Sequence, residues 1–238
     1  STPAPLMPTS RPSSKAPSTP AREDQERGPH WRTLLLPDAP AAAVRVGGAA
    51  LHPSDDPVTG AFVERDGETW YHIAHVDKMR PFFMSLVSSS DHWTFVSSTG
   101  ALTAGRRSPD FGLFPYVTVD KIHDARNTTG GATLLRVAQD ASGDGQPTWA
   151  LWEPFSNRYA GLYRTRRSLY KSLHGDRLCF EEVNDDLGLT GATTWATSER
   201  YGFVRRTVLT HHGDAPVRAQ VLDGLRNLMP YGGSRPLQ

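Results

Sequence analysis

The carboxylates Glu181, Glu182, Asp185 and Asp186 crowd one stretch, LCFEEVNDD, and paired carboxylates are the equipment of glycoside hydrolysis. That chemistry needs both groups to flank one bond. Glu181 and Glu182 are neighbours on a strand-like run, so they point to opposite faces and read as a charged strand end. Arg164, Arg166 and Arg167 admit three readings: nucleic acid, an anionic ligand or a salt-bridged face. With Glu181 and Glu182 at hand, pairing across strands is the favoured one. His72 and His75 are three apart and on a strand would diverge, so they do not chelate a metal as a helical pair would. His211 and His212 fall at a turn tip. The run Asp140–Gly145 has the composition of a calcium loop without the regular oxygen ligands or the distal Glu, and reads as a plain turn. No GxSxG, P-loop or HExxH is present. These residues yield no catalytic group, no metal site and no cofactor.

Trp149, Trp152, Tyr159 and Tyr163 form the other candidate group. Aromatic faces stack on sugar rings, and the same residues also fill β-sandwich cores, so they are carbohydrate-binding candidates beside a core alternative.

The positioning elements read as strands. His75–Arg107 holds an apolar run (Pro81–Val87), a polar turn and a second run (His92–Val96), which predicts a hairpin in the middle of a sheet with further strands added around it. In the second run Trp93 and Phe95 share one face, and His92, Thr94 and Val96 the other. Asp66-Gly67 between Phe62–Arg65 and Thr69–Ile73 predicts a tight hairpin. Further strands are expected at Phe111–Val119, Ala132–Ala138, Thr148–Trp152 and Tyr159–Leu173. Leu178–Asn184 is expected to pair with Ala192–Thr197, and Phe203–Thr210 with Val217–Leu222. A short helical turn is expected over Leu222–Tyr231. Strands with turn signals between them predict an all-β, antiparallel β-sandwich.

The chain has 238 residues, 37% of them hydrophobic, and a formal net charge of +1. Residues 1–57 hold more than half of the 19 prolines and are expected to be a disordered Pro/Ser/Ala-rich tail, in which Trp31–Leu36 is the one apolar knot. The sandwich domain is expected over 58–232, and 233–238 reads as the start of a linker. Near-zero net charge argues against a nucleic-acid module, and no apolar run approaches the ~18 residues of a membrane span. The single cysteine, Cys179, excludes an internal disulfide and reads as a small buried hydrophobe. One cysteine and no signal-like apolar centre at the start lean the expectation toward the cytoplasm.

The stretches HVDKMRPFFMSLVSSSDHWTFVSSTGALTAGR, DFGLFPYVTVDKIHD, WEPFSNRY, LCFEEVNDDLGLT with WATSERYGFVRRTVL, and VLDGLRNLMPYG resemble, in that order, the N-terminal part of large bacterial proteins. Those proteins are of the cellobiose phosphorylase and cyclic β-glucan synthetase type. The resemblance covers Phe62 to Gly232, and the Pro-rich start departs from the family pattern. It implies a β-supersandwich in front of a separate (α/α) barrel that carries the catalytic carboxylates. No position here matches the family's general acid, so no catalytic residue is carried over. The implied role is a non-catalytic domain whose partner is the downstream catalytic domain of the same protein, with a glycan or a second copy as further partners. Ser97–Arg107 and Glu153–Tyr159 are the loops expected to reach the barrel mouth or a subunit contact, and an apolar face should be left bare. The alternatives are a free-standing carbohydrate-binding module and a structural β-domain for protein assembly.

Overall fold

The computed structural model describes residues 45–46, 49–50, 54–141, 147–159 and 161–230. The expected tail to residue 44 and its Trp31–Leu36 knot, most of the 140–145 turn, and the linker from 233 lie outside the described residues.

Alternation and turn residues divide the chain into strands. Arg45–Val46 (β1) and Ala49–Ala50 (β2) make a two-residue ladder. Thr59–Arg65 (β3) and Glu68–Ala74 (β4) pair across Asp66 and Gly67, whose φ values of 56° and 76° are what a type I′ turn requires. Phe83–Leu86 (β5), His92–Ser97 (β6) and Leu102–Arg106 (β7) follow. After a connection come Gly130–Ala141 (β8), Pro147–Trp152 (β9), Thr165–Ser172 (β10) and Arg177–Asn184 (β11). Leu189–Ser198 (β12), Gly202–His211 (β13) and Ala219–Arg226 (β14) complete the order. The helical pieces among the described residues are 3-10 turns of three or four residues, and no helix is long and apolar enough to cross a membrane.

The chain is all-β and antiparallel. A six-stranded sheet runs β13-β12-β11-β10-β4-β3, with three-stranded sheets β5-β6-β7 and β14-β8-β9. One face of the large sheet packs on both small ones. Leu169, Leu178, Phe180 and Trp195 meet Met84, Leu86, Val96, Leu102 and Ala104 in the larger core. Leu187 and Leu189 meet Leu135, Val137 and Trp152 in the second. Each β11 residue facing the core lies two positions from the next, as the pleat demands.

Several expectations are corrected. The hairpin β5–β6 does form, and Thr94 and Val96 point into the core while Trp93 and Phe95 point away. Yet it belongs to its own small sheet instead of the middle of the large one, because its apolar inner face is spent against the large sheet. Phe111–Val119 is not a strand. Pro109 opens a 3-10 turn, and Pro115 has no N–H to give a ladder, so its carbonyl is taken by the Thr103 hydroxyl at 2.8 Å. Phe114 plugs the core with no exposure. Val217–Leu222 does not pair with β13, and Leu222–Tyr231 is not a helical turn. Both belong to β14 and its exit, because β14 crosses to the open edge of β8 in the register Leu222↔Leu134 and Asp223↔Thr133. That register is held by side chains: Asp223 accepts from Thr133 at 2.6 Å and from Arg205 of β13 at 2.7 Å. The expected strand at 159–173 begins only at Thr165, after a turn at Gly161.

Two substitutions check the placement of the core. Leu178→Ala, at a fully buried site, should cost about 2–5 kcal/mol in urea unfolding. Leu173→Ala, with 61% of its surface exposed, should change stability by less than about 0.5 kcal/mol. Similar shifts in midpoint for both would contradict this core.

Candidate functional site

The pleat settles the carboxylate question first. Glu182 faces the core between the large sheet and β9, and Glu181 faces the other way. Glu182 is 2% exposed, and its oxygens accept from Trp152 Nε1 at 2.7 Å, Arg167 Nε at 2.6 Å and Phe155 N at 2.8 Å. Arg167 stands directly opposite it on β10 and spends its remaining donors on Asn157 Oδ1 and the Ser156 carbonyl. Phe155 takes a left-handed φ of 62°, which presents its N–H to Glu182 and its ring edge-on to Phe180 at 5.2 Å. Arg126 donates to the Phe155 carbonyl and to Asn157, and Arg226 to the buried Glu153. Every one of these donors binds segment 153–157 or Glu182 itself, so the network is a structural clamp. Glu182 has no face open to a substrate.

The loops expected to leave the sheet rim behave otherwise. Within Ser97–Arg107 the stretch Leu102–Arg106 forms β7, where Leu102 has no exposure and Ala104 1%, and the short turn at Gly100 remains a loop. Gly105 lies under Trp93, leaving no room for a side chain. Of the loop Glu153–Tyr159, the clamp bonds hold Glu153, Phe155, Ser156 and Asn157.

The outer face of the large sheet carries the accessible polar chemistry. Glu181 receives Arg65 at 3.0 Å and the Tyr170 hydroxyl at 3.0 Å. Burial and the Glu181 charge push the Tyr170 hydroxyl up to about 12. His72 stacks on Tyr170 at 4.3 Å and pairs with the Ser168 hydroxyl at 3.0 Å. Burial holds the imidazole below its ordinary value, against the pull of Glu181. Cys179 is buried on this face, and burial raises its thiol. Arg164 pairs with Asp186 and Arg166 with Asp185, so the arginine group is salt-bridged along its length. Toward the end of the same face lies an open hollow of about 580 Å³ lined by Arg166, Glu181, Val183, Asp185, Thr190, Thr210 and His212. Among the described residues no group of three His, Cys, Asp or Glu side chains could hold a metal ion.

The aromatic candidates are divided. Trp152 is 1% exposed in the second core, where Tyr163 packs beside it and donates to the Leu151 carbonyl at 2.8 Å. Trp149, three positions away on β9, lies on the opposite face, with the Arg136 and Arg218 guanidinium groups 4.7 Å and 5.9 Å from its ring. Tyr159 ends a 3-10 turn, and its side chain lies outside the described residues. The structure thus joins Trp152 to Tyr163 and separates Trp149 from both. The spacing of three on a strand already carried that separation. The hollow had no motif in sequence, since its residues come from separate strands.

Glu182→Gln keeps the shape of the clamp but leaves Arg167 buried without a counter-charge, and should cost about 3–5 kcal/mol in chemical unfolding. Asp185→Asn breaks an exposed pair and should cost under about 1 kcal/mol; equal costs would refute the clamp. The depressed His72 value has its own sign. The unfolded chain binds a proton more readily, so the stability His72 contributes is full above pH 6.5 and is lost as pH falls through the lower folded value. His72→Phe should therefore lose less stability than the wild type between about pH 7.5 and 5.5. Parallel pH profiles would contradict the assignment.

No protein-family model matches this chain and no curated protein matches it in sequence, so the site rests on its geometry.

Proposed function

We propose that the chain is a non-catalytic β-sandwich domain that supports an adjoining catalytic (α/α) barrel in a larger glycan-active protein of the glycoside phosphorylase or hydrolase type. The observation that carries the supporting role is the bare apolar surface of the edge strands β13 and β14. Val221, Leu222 and Leu225 on β14 are 51%, 69% and 42% exposed, and Val204, Val208 and Leu209 on β13 are each at least 36% exposed. These strands close the same side of the two layers, tied to each other by Arg205 and Asp223. Edge strands ordinarily carry charge, proline or a bulge against unwanted pairing. Uncovered valines and leucines on both strands, Val204 and Val208 on the outer face of the large sheet and Leu222 on that of the small one, are instead the mark of surfaces that another domain covers. The glycan-active identity of that domain draws on the resemblance of the motif stretches alone.

The test compares residues 1–238 with the product of the full native reading frame. Amides of β13 and β14 should exchange at least about tenfold more slowly in the longer polypeptide, the effect of burying a frayed edge under a partner domain. Equal exchange in the two proteins would contradict the proposal. So would a reading frame that encodes no helical domain.

A further inference from the structure

We propose that the hollow on the outer face of the large sheet is a binding site for an uncharged, hydroxyl-rich ligand, the chemistry of a saccharide.

Its floor is one cross-strand row. Arg166 of β10 pairs with Val183 of β11, Val183 with Thr190 of β12, and Thr190 with Thr210 of β13. Directly opposed residues share a face, so all four side chains stand on the outer side of the sheet, spread over about 14 Å at the usual strand spacing. Val183, Thr190 and Thr210 are short. The longer side chains Arg166, Glu181, Asp185 and His212 rise around them, and that difference in length makes the depression. The wall at His212 is fixed twice, by its backbone N–H to the Gly188 carbonyl at 2.9 Å and by its ring Nε2 to the Thr190 hydroxyl at 2.6 Å.

The charges decide the class of ligand. Arg166 is held by Asp185 at 2.7 Å, and Glu181 by Arg65 at 3.0 Å, so each formal charge on the wall already has its opposite. An anion or cation entering the hollow would meet charges that are already neutralised by their partners, and so gains less there than at an unpaired charge. Val183 is the one apolar side chain among the lining residues, too little surface to hold a hydrophobic ligand. What the hollow offers is carboxylate oxygens with spare lone pairs, guanidinium edges, threonine hydroxyls and an imidazole, a mixed set of acceptors and donors. Ligand hydroxyls, which both donate and accept, fit such a set without disturbing the ion pairs. The choice of a saccharide among hydroxylated ligands rests on the glycan-linked reading above.

The test titrates the whole chain with cellobiose, a neutral disaccharide, and separately with inorganic phosphate, following backbone amide shifts. Cellobiose should shift the amides of Val183, Thr190 and Thr210 in a saturable way, and phosphate should leave them in place. Thr210→Val, on an exposed strand position, should weaken the disaccharide at least about fivefold, the loss of one hydrogen bond. Asp185→Asn frees Arg166, so that variant should gain a phosphate response the wild type lacks. Absence of a saturable disaccharide shift at these amides, or an equal response to phosphate in the wild type, would overturn the proposal. Failure here with slowed exchange of β13 and β14 in the longer polypeptide would remove the hollow and leave the supporting role. Disaccharide binding without any longer polypeptide would uphold the hollow and make the chain a carbohydrate-binding module.

Discussion

A carboxylate taken out of water must be met by donors on every side, and Glu182 imposes that condition on the surrounding structure. Its partners come from β10, from the end of β9 and from the segment 153–157 that directly follows β9. None can move without leaving a charge or a donor unpaired in a medium that penalises both. The pair with Arg167 need not stabilise the fold relative to a hydrophobic substitute. It specifies one arrangement: Trp152 can enter the second core only with its indole N–H on Glu182. The small sheet β14-β8-β9 is thereby set at one height against the large sheet.

From that constraint the two outer surfaces follow. With the inner face of the large sheet consumed by two cores and the clamp, its chemistry is displaced to the opposite face, where Arg65, Tyr170 and Glu181 are half-buried and the Arg166–Asp185 pair stands in water. With β14 recruited to β8, its free edge and that of β13 come to lie on one side, tied through Asp223. The valines and leucines of both strands remain uncovered there. Burial raises the Asp223 carboxyl while Arg205, Thr133 and Thr207 together bring it below its ordinary value.

Local features were legible in the sequence and non-local ones were not. Asp66-Gly67 announces its hairpin because the turn chemistry and both strands lie within a few residues. The alternation of Thr94 and Val96 against Trp93 and Phe95 was legible for the same reason. The pairing of β14 is not legible in the sequence because turn residues at His211–Asp214 suggest a hairpin, while the true partner, β8, lies far earlier and is chosen by edge availability and by Thr133. Leu222–Tyr231 looked helical since LDGLRNLM carries apolar residues at helical spacing; ladder bonds to β8 override that weak preference. The adjacency of Glu181 and Glu182 correctly set them on opposite faces. Nothing in sequence, however, marks which face is buried, and so the clamp and the hollow emerge only with the sheet.

Hydrogen exchange of the Glu182→Gln variant against the wild type tests the central role of the clamp most directly. The account predicts that protection falls in β8, β9 and residues 153–157 while β5, β6 and β7 keep theirs, because the hydrogen-bond partners of Glu182 lie on β9, β10 and residue 155 and none lies on β5, β6 or β7. Uniform loss across all strands, or unchanged protection in β8 and β9, would contradict it.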